Sequence, residues 1–299
     1  MTEAAPRDLV ELEERLSRPD DATRSAIAAI DGDILILGAG GKMGPTLARM
    51  ARRALDDIGA ARRGANARFV IGVSRFSNEK QAAQLANCGV EIVRADLANP
   101  DSYRLLPKAA NAIWMVGQKF GSSGDPVGTW AHNVSAAVYG ADHCASSRVV
   151  CFSSGNVYGR TAFEHGGSLE SEELQGTGEY AASCIGRERV FEAAARRLNF
   201  PLLLYRLFYA CDLRYGVVTD IALRIFRGEP VSLLSRAVNV IWQGDANKLA
   251  LRALAAAGVP GIAVNVTGNI VLVKTIAERI AQKLNRELNF VDIVEGDVL

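Results

Sequence analysis

Residues 33–51 read DILILGAGGKMGPTLARMA. Four consecutive aliphatic residues, Ile34 to Leu37, lead into glycines at 38, 41 and 44, and a helix-compatible stretch follows. Glycines between a strand and a helix let the backbone turn sharply and approach a pyrophosphate, which the free N–H groups of the helix start then stabilise. The G-x-G-x-x-G register fails because Met43 occupies its third position. The spacing that fits is G-x-x-G-x-x-G, which makes Gly38, Gly41, Lys42, Met43 and Gly44 candidates for holding a dinucleotide.

Outward from this loop, short β-branched runs alternate with longer helical patterns. Strands are expected at DILILG, ARFVIGV, EIV, NAIWMV, RVVCFS and PLLLYRL, with helices starting near Gly44, Asn78, Asp101, Val127 and Gly178. Strands apolar throughout, separated by amphipathic helices, predict an α/β fold: a Rossmann-like, doubly wound parallel sheet covered on both faces. After Tyr209 the rhythm changes to a helix over Thr219–Arg227, VSLL and NVIW strands, a helix from Asp245, GIAVNV, and a last helix from Val273. The expected division is a helical extension over residues 1–30 packed outside the sheet, a dinucleotide-binding domain over 31–208, and a smaller C-terminal α/β substrate lobe over 209–299.

A formal net charge of +1 leaves no footprint for a polyanion, so nucleic acid is not an expected partner. The arginine pairs at 52–53, 62–63 and 196–197 read as solvated faces. Five cysteines, an odd number without metal-like spacing, fit a reducing compartment and suggest no metal site. No apolar run is long enough to span a bilayer, and residues 1–16 are acidic and amphipathic, so a cytoplasmic protein without membrane contact is expected.

The second strand ends GVSRFS. A carboxylate there would accept hydrogen bonds from the adenosine ribose and repel a 2′-phosphate. Ser74 and Arg75 stand there instead, and a guanidinium pairs with phosphate through two N–H groups, which favours NADP over NAD. Asp96 and Leu97 follow the third strand, where the carboxylate serves as a turn cap, an adenine contact, or both. Val116 and Gly117 follow the fourth strand, at the sheet edge where ligands of such folds bind.

Gly38/Gly41/Gly44, Asp96-Leu97, Asn133, SSGNVYG at 153–159 and Tyr180, in this order, resemble the extended short-chain dehydrogenase/reductase family, of NAD-dependent epimerase/dehydratase type. The similarity runs from about residue 33 to the chain end, through Arg206, the GDAN segment at Asp245 and VNVTG at 264–268. It implies an NAD(P)-dependent oxidoreductase or epimerase acting by hydride transfer, with Ser154 orienting the substrate hydroxyl and Tyr180 moving its proton. A homodimer, formed through helices near 127–145 and 179–198, is also implied.

The resemblance breaks at residue 184. The family lysine, which binds the nicotinamide ribose and lowers the tyrosine pKa, is Cys184 here. A neutral thiol cannot replace a cation, and an ionised one would raise the tyrosine pKa. Either another cation serves, with Lys119 of the VGQKFGS loop the first candidate and Arg187 the second, or the chemistry differs, or the chain is a non-catalytic dinucleotide-binding sensor or regulatory protein that keeps the fold.

Two further departures concern the substrate. The Asp-Glu pair that dehydratases of the family carry after the catalytic Ser/Thr is Gly155 and Asn156 here. The arginine that commonly clamps a nucleotide-sugar diphosphate is Val238, with Asn239 beside it. A small carbohydrate-like alcohol or ketone, a sugar or sugar acid rather than a nucleotide sugar, fits better. Asn156, Tyr209 and Arg214 join Ser154 as substrate-contact candidates, with an ordinary ion pair the other reading of Arg214.

Overall fold

The computed structural model describes residues 4–60, 64, 66–119, 121–161 and 163–292. Its main sheet contains β1 (Ile34–Leu37), β2 (Val70–Ser74), β3 (Glu91–Arg94), β4 (Asn111–Trp114), β5 (Arg148–Ser154) and β6 (Leu202–Leu207). The later strands are β7 (Tyr209–Cys211), β8 (Val231–Ser232), β9 (Ala237–Trp242), β10 (Ile262–Val266), which joins the main sheet, β11 (Ile270–Leu272) and β12 (Phe290–Val291). Seven strands pair in the order β10-β6-β5-β4-β1-β2-β3, all parallel. The chain leaves β1 toward β2 on one side and returns to β4 on the other, which opens a crevice beyond the C-terminal ends of β1 and β4.

Residues Ile34 to Leu37 are all buried, as a strand covered on both faces requires. The helix Gly44–Asp57 lies on one face and buries Leu47, Met50, Ala51, Ala54 and Leu55 at helical spacing. The helix Gly178–Leu198 lies on the other, with Phe191, Ala194 and Ala195 in the core against Trp114 and Leu204. Near Asp101 only a short 3₁₀ turn forms, Pro100–Leu105. The helix expected from Val127 is interrupted by a π-helical turn, Ala131–Ser135, between Pro126–Trp130 and Ala136–His143.

The C-terminal region departs from the expected division. The helix Gln243–Ala256 sends Leu251 and Leu254 into the main core, and β10 pairs with β6 through Ile262↔Leu203. Residues 243–266 therefore return to the large sheet, where β10 satisfies an edge that β6 would otherwise expose. The smaller lobe is what remains: the sheet β11-β9-β7, the pair β12-β8, and two helices, Val217–Phe226 and Val273–Leu284, closed over Ile221, Ile225, Val238 and Ala277.

The N-terminal extension forms two helices, Leu9–Leu16 and Asp21–Ala28, capped by Asp8 and Asp20. They pack on the helices Gly44–Asp57 and Gln243–Ala256, outside the sheet. Arg252 grips Asp20, Asn247 donates to Leu16 O at 3.1 Å, and Arg53 pairs with Glu14 at 2.9 Å. Arg52 is not a solvated residue: it is 1% exposed, paired with Asp56 at 3.0 Å and donating to Arg68 O. Its position on the buried side of the helix forces that partnering. Arg196 and Arg197 are exposed, and Arg62–Arg63 lies outside the described residues.

Candidate active site

The glycine loop makes its turn by close approach. Gly38 has φ +95°, and a Cβ there would lie 2.9 Å from the Met115 carbonyl carbon, so the ends of β1 and β4 touch. At Gly44 a Cβ would lie 2.7 Å from the Ala39 carbonyl carbon, so the helix can start this close to the strand only with glycine. Met43, at the N-cap, offers no side-chain hydrogen bond to the first turn. The free N–H groups there face a cavity of about 660 Å³ lined by Gly38, Gly41, Lys42, Met43 and Gly44. A cradle of this kind fits a dinucleotide pyrophosphate.

A second cavity, about 210 Å³, adjoins the first at Gly38, Gly41 and Gly117. Ser74, Arg75, Asp96, Leu97 and Val116 line it. Asp96 accepts from Ala98 N at 3.0 Å, so its carboxylate caps a turn and faces the cavity at once. Arg75 is exposed at the rim, and Phe76 beneath it is buried with φ +46°. That left-handed residue turns the chain back so that Arg94 reaches Phe76 O at 2.9 Å.

Tyr180, Ser154 and Lys119 face the larger cavity together. Ser154 is buried at the end of β5, where its hydroxyl accepts from Asn156 N at 3.2 Å. Tyr180 lies in the first turn of the helix Gly178–Leu198. Burial of the phenol holds its pKa well above the ordinary tyrosine value; Cys184 adds to the rise, while Arg187 and a hydrogen bond with Ser154 oppose it. Lys119 keeps an exposed face, yet its ammonium lies 5.7 Å from the Tyr180 ring centroid and 5.8 Å from that of Tyr209. Burial lowers the Lys119 pKa.

The π-helical turn has a local purpose. It places Asn133 so that its Oδ1 accepts from Gln118 N at 2.7 Å and its Nδ2 donates to Ser183 Oγ at 2.8 Å. Asn133 thereby fastens the loop after β4 to the helix that carries Tyr180. Irregular turns of this kind recur at functional sites.

A third cavity, about 250 Å³, shares Lys119 and Tyr209 with the first and is lined by Asn156, Tyr158, Arg160 and Val238. A Cβ at Gly155 would lie 2.6 Å from the Phe208 ring, so an acid at this position has no room. Arg214 is not among the residues lining the three cavities. Its guanidinium pairs with the buried Asp212 at 2.7 Å and with Glu13 at 3.2 Å, which fixes the N-terminal helix to the smaller lobe. The ion-pair reading of Arg214 is the one the structure displays.

Tyr215 stands in the YRLFYACDLRYG segment after the sixth strand, where the resemblance puts the substrate pocket, whereas Asp220 had escaped the sequence reading. Tyr215 stacks beneath the Lys42 ammonium at 4.5 Å from its ring centroid and donates to Gln243 Oε1. Asp220 is a carboxylate on the cavity wall. A glycine-loop lysine would have suggested an aromatic or acidic neighbour, but nothing in the sequence says which. Among the described residues no group of three or more His, Cys, Asp or Glu is placed to hold a metal, and no helix is long and apolar enough to cross a membrane.

The family model described as NAD dependent epimerase/dehydratase family matches residues 34–267. A search of curated proteins by sequence returns no match. Among solved structures, a variant UDP-glucuronic acid 4-epimerase from Bacillus cereus, complexed with UDP-4-deoxy-4-fluoro-glucuronic acid and NAD, superposes with TM-score 0.71 at 14% identity, covering 87% of this chain and 85% of that one. A UDP-N-acetylglucosamine 4-epimerase from Methanobrevibacter ruminantium gives TM-score 0.71 at 18% identity over 89% and 87%. The UDP-glucose 4-epimerase of Thermus thermophilus, complexed with NAD, gives 0.67 at 18% identity over 87% and 85%. At these identities the likeness shows the fold.

Proposed function

The chain belongs to the NAD dependent epimerase/dehydratase family, and from that premise we propose that it interconverts an alcohol and a ketone on a small carbohydrate-like substrate, as an oxidoreductase or epimerase. The observation that carries this is the convergence of Tyr180 and Ser154 on the cavity that the glycine loop opens into. A bound nicotinamide would take a hydride from the substrate carbon or return it. Tyr180 takes or gives the proton at the substrate oxygen, and the Ser154 hydroxyl fixes that oxygen in place. Lys119, shared by two cavities, puts a positive charge on the substrate side of the Tyr180 ring.

Gly38, Gly41 and Gly44 with the following helix start would hold the pyrophosphate, and Ser74 and Arg75 the 2′-phosphate of NADP. Arg75 at an open rim, flanked in the chain by Ser74 and Phe76 rather than by an acid, supports NADP over NAD. A small substrate is supported by the third cavity, whose size falls below the ~300–1,000 Å³ usual for ligands as large as drugs. Val238 stands in its wall where the family resemblance has a diphosphate-clamping arginine, and the cations that line it are Lys119 and Arg160. Loss of water by the dehydratase route is disfavoured because Phe208 fills the space an acid at 155 would need.

Calorimetric titration with NADPH and NADH, followed by assay against polyols, keto-sugars and aldonic acids, tests the reading. Tighter binding of NADPH, weakened toward that of NADH in Arg75→Ala, is expected, with turnover that Tyr180→Phe abolishes. Failure of either cofactor to bind the folded protein would sink it. Tight cofactor binding without turnover of any panel member would move the case to the sensor alternative, and micromolar competition by a UDP-sugar would overturn the small-substrate part.

A further inference from the structure

We propose that Arg187 is the fixed positive charge of this site: a positioning residue that replaces, from the next helical turn, the missing lysine at 184, with Cys184 steering its guanidinium toward Tyr180. The inference rests on the reading of Tyr180 as the proton-transfer group. Residues seven apart on a helix differ by only about 20° around the axis, so 180 and 187 share one stripe with 184 between them. Their Cα atoms are about 10 Å apart along the axis. Long helical side chains lean toward the N-terminus, so an arginine at 187 lays its head over the turn containing 184, on the Tyr180 side.

The contacts agree with that direction. Arg187 Nη2 donates to Cys184 Sγ at 3.3 Å, and Nη1 donates to Val116 O at 3.0 Å. The residue is 5% exposed, yet it lines the same cavity as Tyr180, Ser154 and the glycine loop. Its Nε is buried without a hydrogen-bond partner. Among the described residues, no carboxylate is within salt-bridge distance of Arg187. The adjacent Glu188 is committed elsewhere, to Arg206 and Ser153. A desolvated guanidinium without a counter-ion is costly unless something else in the site uses its charge.

The surroundings are built to admit it. A Cβ on Gly117 would lie 2.7 Å from Arg187 Nη1, so glycine keeps the loop after β4 clear of the guanidinium. Cys184 is fully buried and small, and its sulfur accepts from the guanidinium. A lysine at 184 would instead set two cations against each other in a desolvated space. The cysteine and the arginine therefore form one exchange: the cation moves by three residues, and the thiol makes room for it. Arg187 also opposes the rise that burial imposes on the Tyr180 phenol.

The test reads Tyr180 ionisation directly. Full-length protein is labelled with 3-fluorotyrosine, whose phenol is intrinsically more acidic, and the fluorine resonance of position 180 is assigned by its loss in Tyr180→Phe. Arg187→Met is expected to raise the titration midpoint by about one pH unit or more. Arg187→Lys, which keeps the charge, should stay near wild type. The double variant Cys184→Lys with Arg187→Met, which relocates the cation, should bring the midpoint back down.

Circular dichroism and the melting temperature confirm that each variant keeps its fold. The pH profile of kcat/KM should shift to higher pH in Arg187→Met alone. Equal midpoints in wild type and Arg187→Met, no ionisation in either within the folded range, or a relocated cation that fails to lower the midpoint would each overturn the proposal. A protein that turns over no substrate but shows the midpoint order wild type below Arg187→Met would keep this inference and discard the catalytic reading.

Discussion

Replacing Arg206 by methionine should destabilise the protein more than most single changes. Arg206 sits at the C-terminal end of β6, with Nε and Nη2 forking onto Glu188 at 3.0 and 2.8 Å. Its Nη1 donates to the Tyr158 hydroxyl at 2.7 Å and to Glu170 O at 3.1 Å. The two side chains are 5% and 0% exposed, so the methionine variant leaves a carboxylate in a place water does not reach. Breaking such a pair by removing one partner costs about 3–5 kcal/mol. At roughly 2–4 °C per kcal/mol for a chain of this order of size, the melting temperature should fall by roughly 6–20 °C.

Urea unfolding followed by circular dichroism, with calorimetry for the melting temperature, measures it. The double variant Arg206→Met with Glu188→Gln should recover most of the loss, since neither charge is then left unpaired. Tyr158 lines the third cavity and loses its charged partner in both variants. Substrate affinity should therefore stay impaired in the double variant while cofactor binding at the distant glycine loop does not. A single variant less than about 1 kcal/mol below wild type would refute the reasoning, as would a double variant no more stable than the single.

Two other outcomes follow from the same geometry. Gly44→Ala should weaken dinucleotide binding at least about tenfold, roughly 1.4 kcal/mol, because its Cβ meets the Ala39 carbonyl and must push the helix start away from the loop; unchanged affinity by calorimetry would count against the cradle. Burial would push the Asp20 pKa up, but hydrogen bonds from Thr23 and the charge of Arg252 outweigh it and hold the pKa at about 2. A depressed carboxylate contributes stability above its unfolded pKa and loses it as the pH falls through the folded value. Asp20→Asn should therefore lower the melting temperature near neutrality, with the difference closing as the pH approaches about 2; a gap independent of pH would refute the assignment.

How much of this was legible in the sequence depends on the range of the interaction concerned. The parallel strands were, because a strand buried on both faces must be apolar at every position, as Ile34 to Leu37 are. The G-x-x-G-x-x-G spacing was, because close backbone approach at Gly38 and Gly44 tolerates nothing larger. The return of residues 243–266 to the main sheet was not. GIAVNV has a pattern that suits either sheet, and what selects β6 as its partner is an unpaired edge formed about sixty positions earlier in the chain. The π-helical turn at Ala131–Ser135 was equally hidden, since Asn133 reaches Gln118 and Ser183, both far away in sequence.

The arginines show where side-chain reading reaches its limit and what would extend it. Arg214 and Arg187 both stand beside an acid in the sequence, and their outcomes are opposite. Asp212 lies two residues before Arg214 outside any helix, where the chain can fold back, and it takes the guanidinium at 2.7 Å. Glu188 follows Arg187 directly on a helix, where adjacent residues point about 100° apart, so it faces Arg206 instead. Adjacency on the helix thus does not make Glu188 a salt-bridge partner of Arg187. The Arg187 guanidinium acts instead along its own stripe, on Cys184 and, beyond it, Tyr180. Spacing places Lys119 at the edge of the cleft and Arg187 on the stripe, but it cannot weigh reach. The Lys119 ammonium comes to rest against ring faces, whereas the guanidinium of Arg187 is held by the very thiol that displaced the lysine.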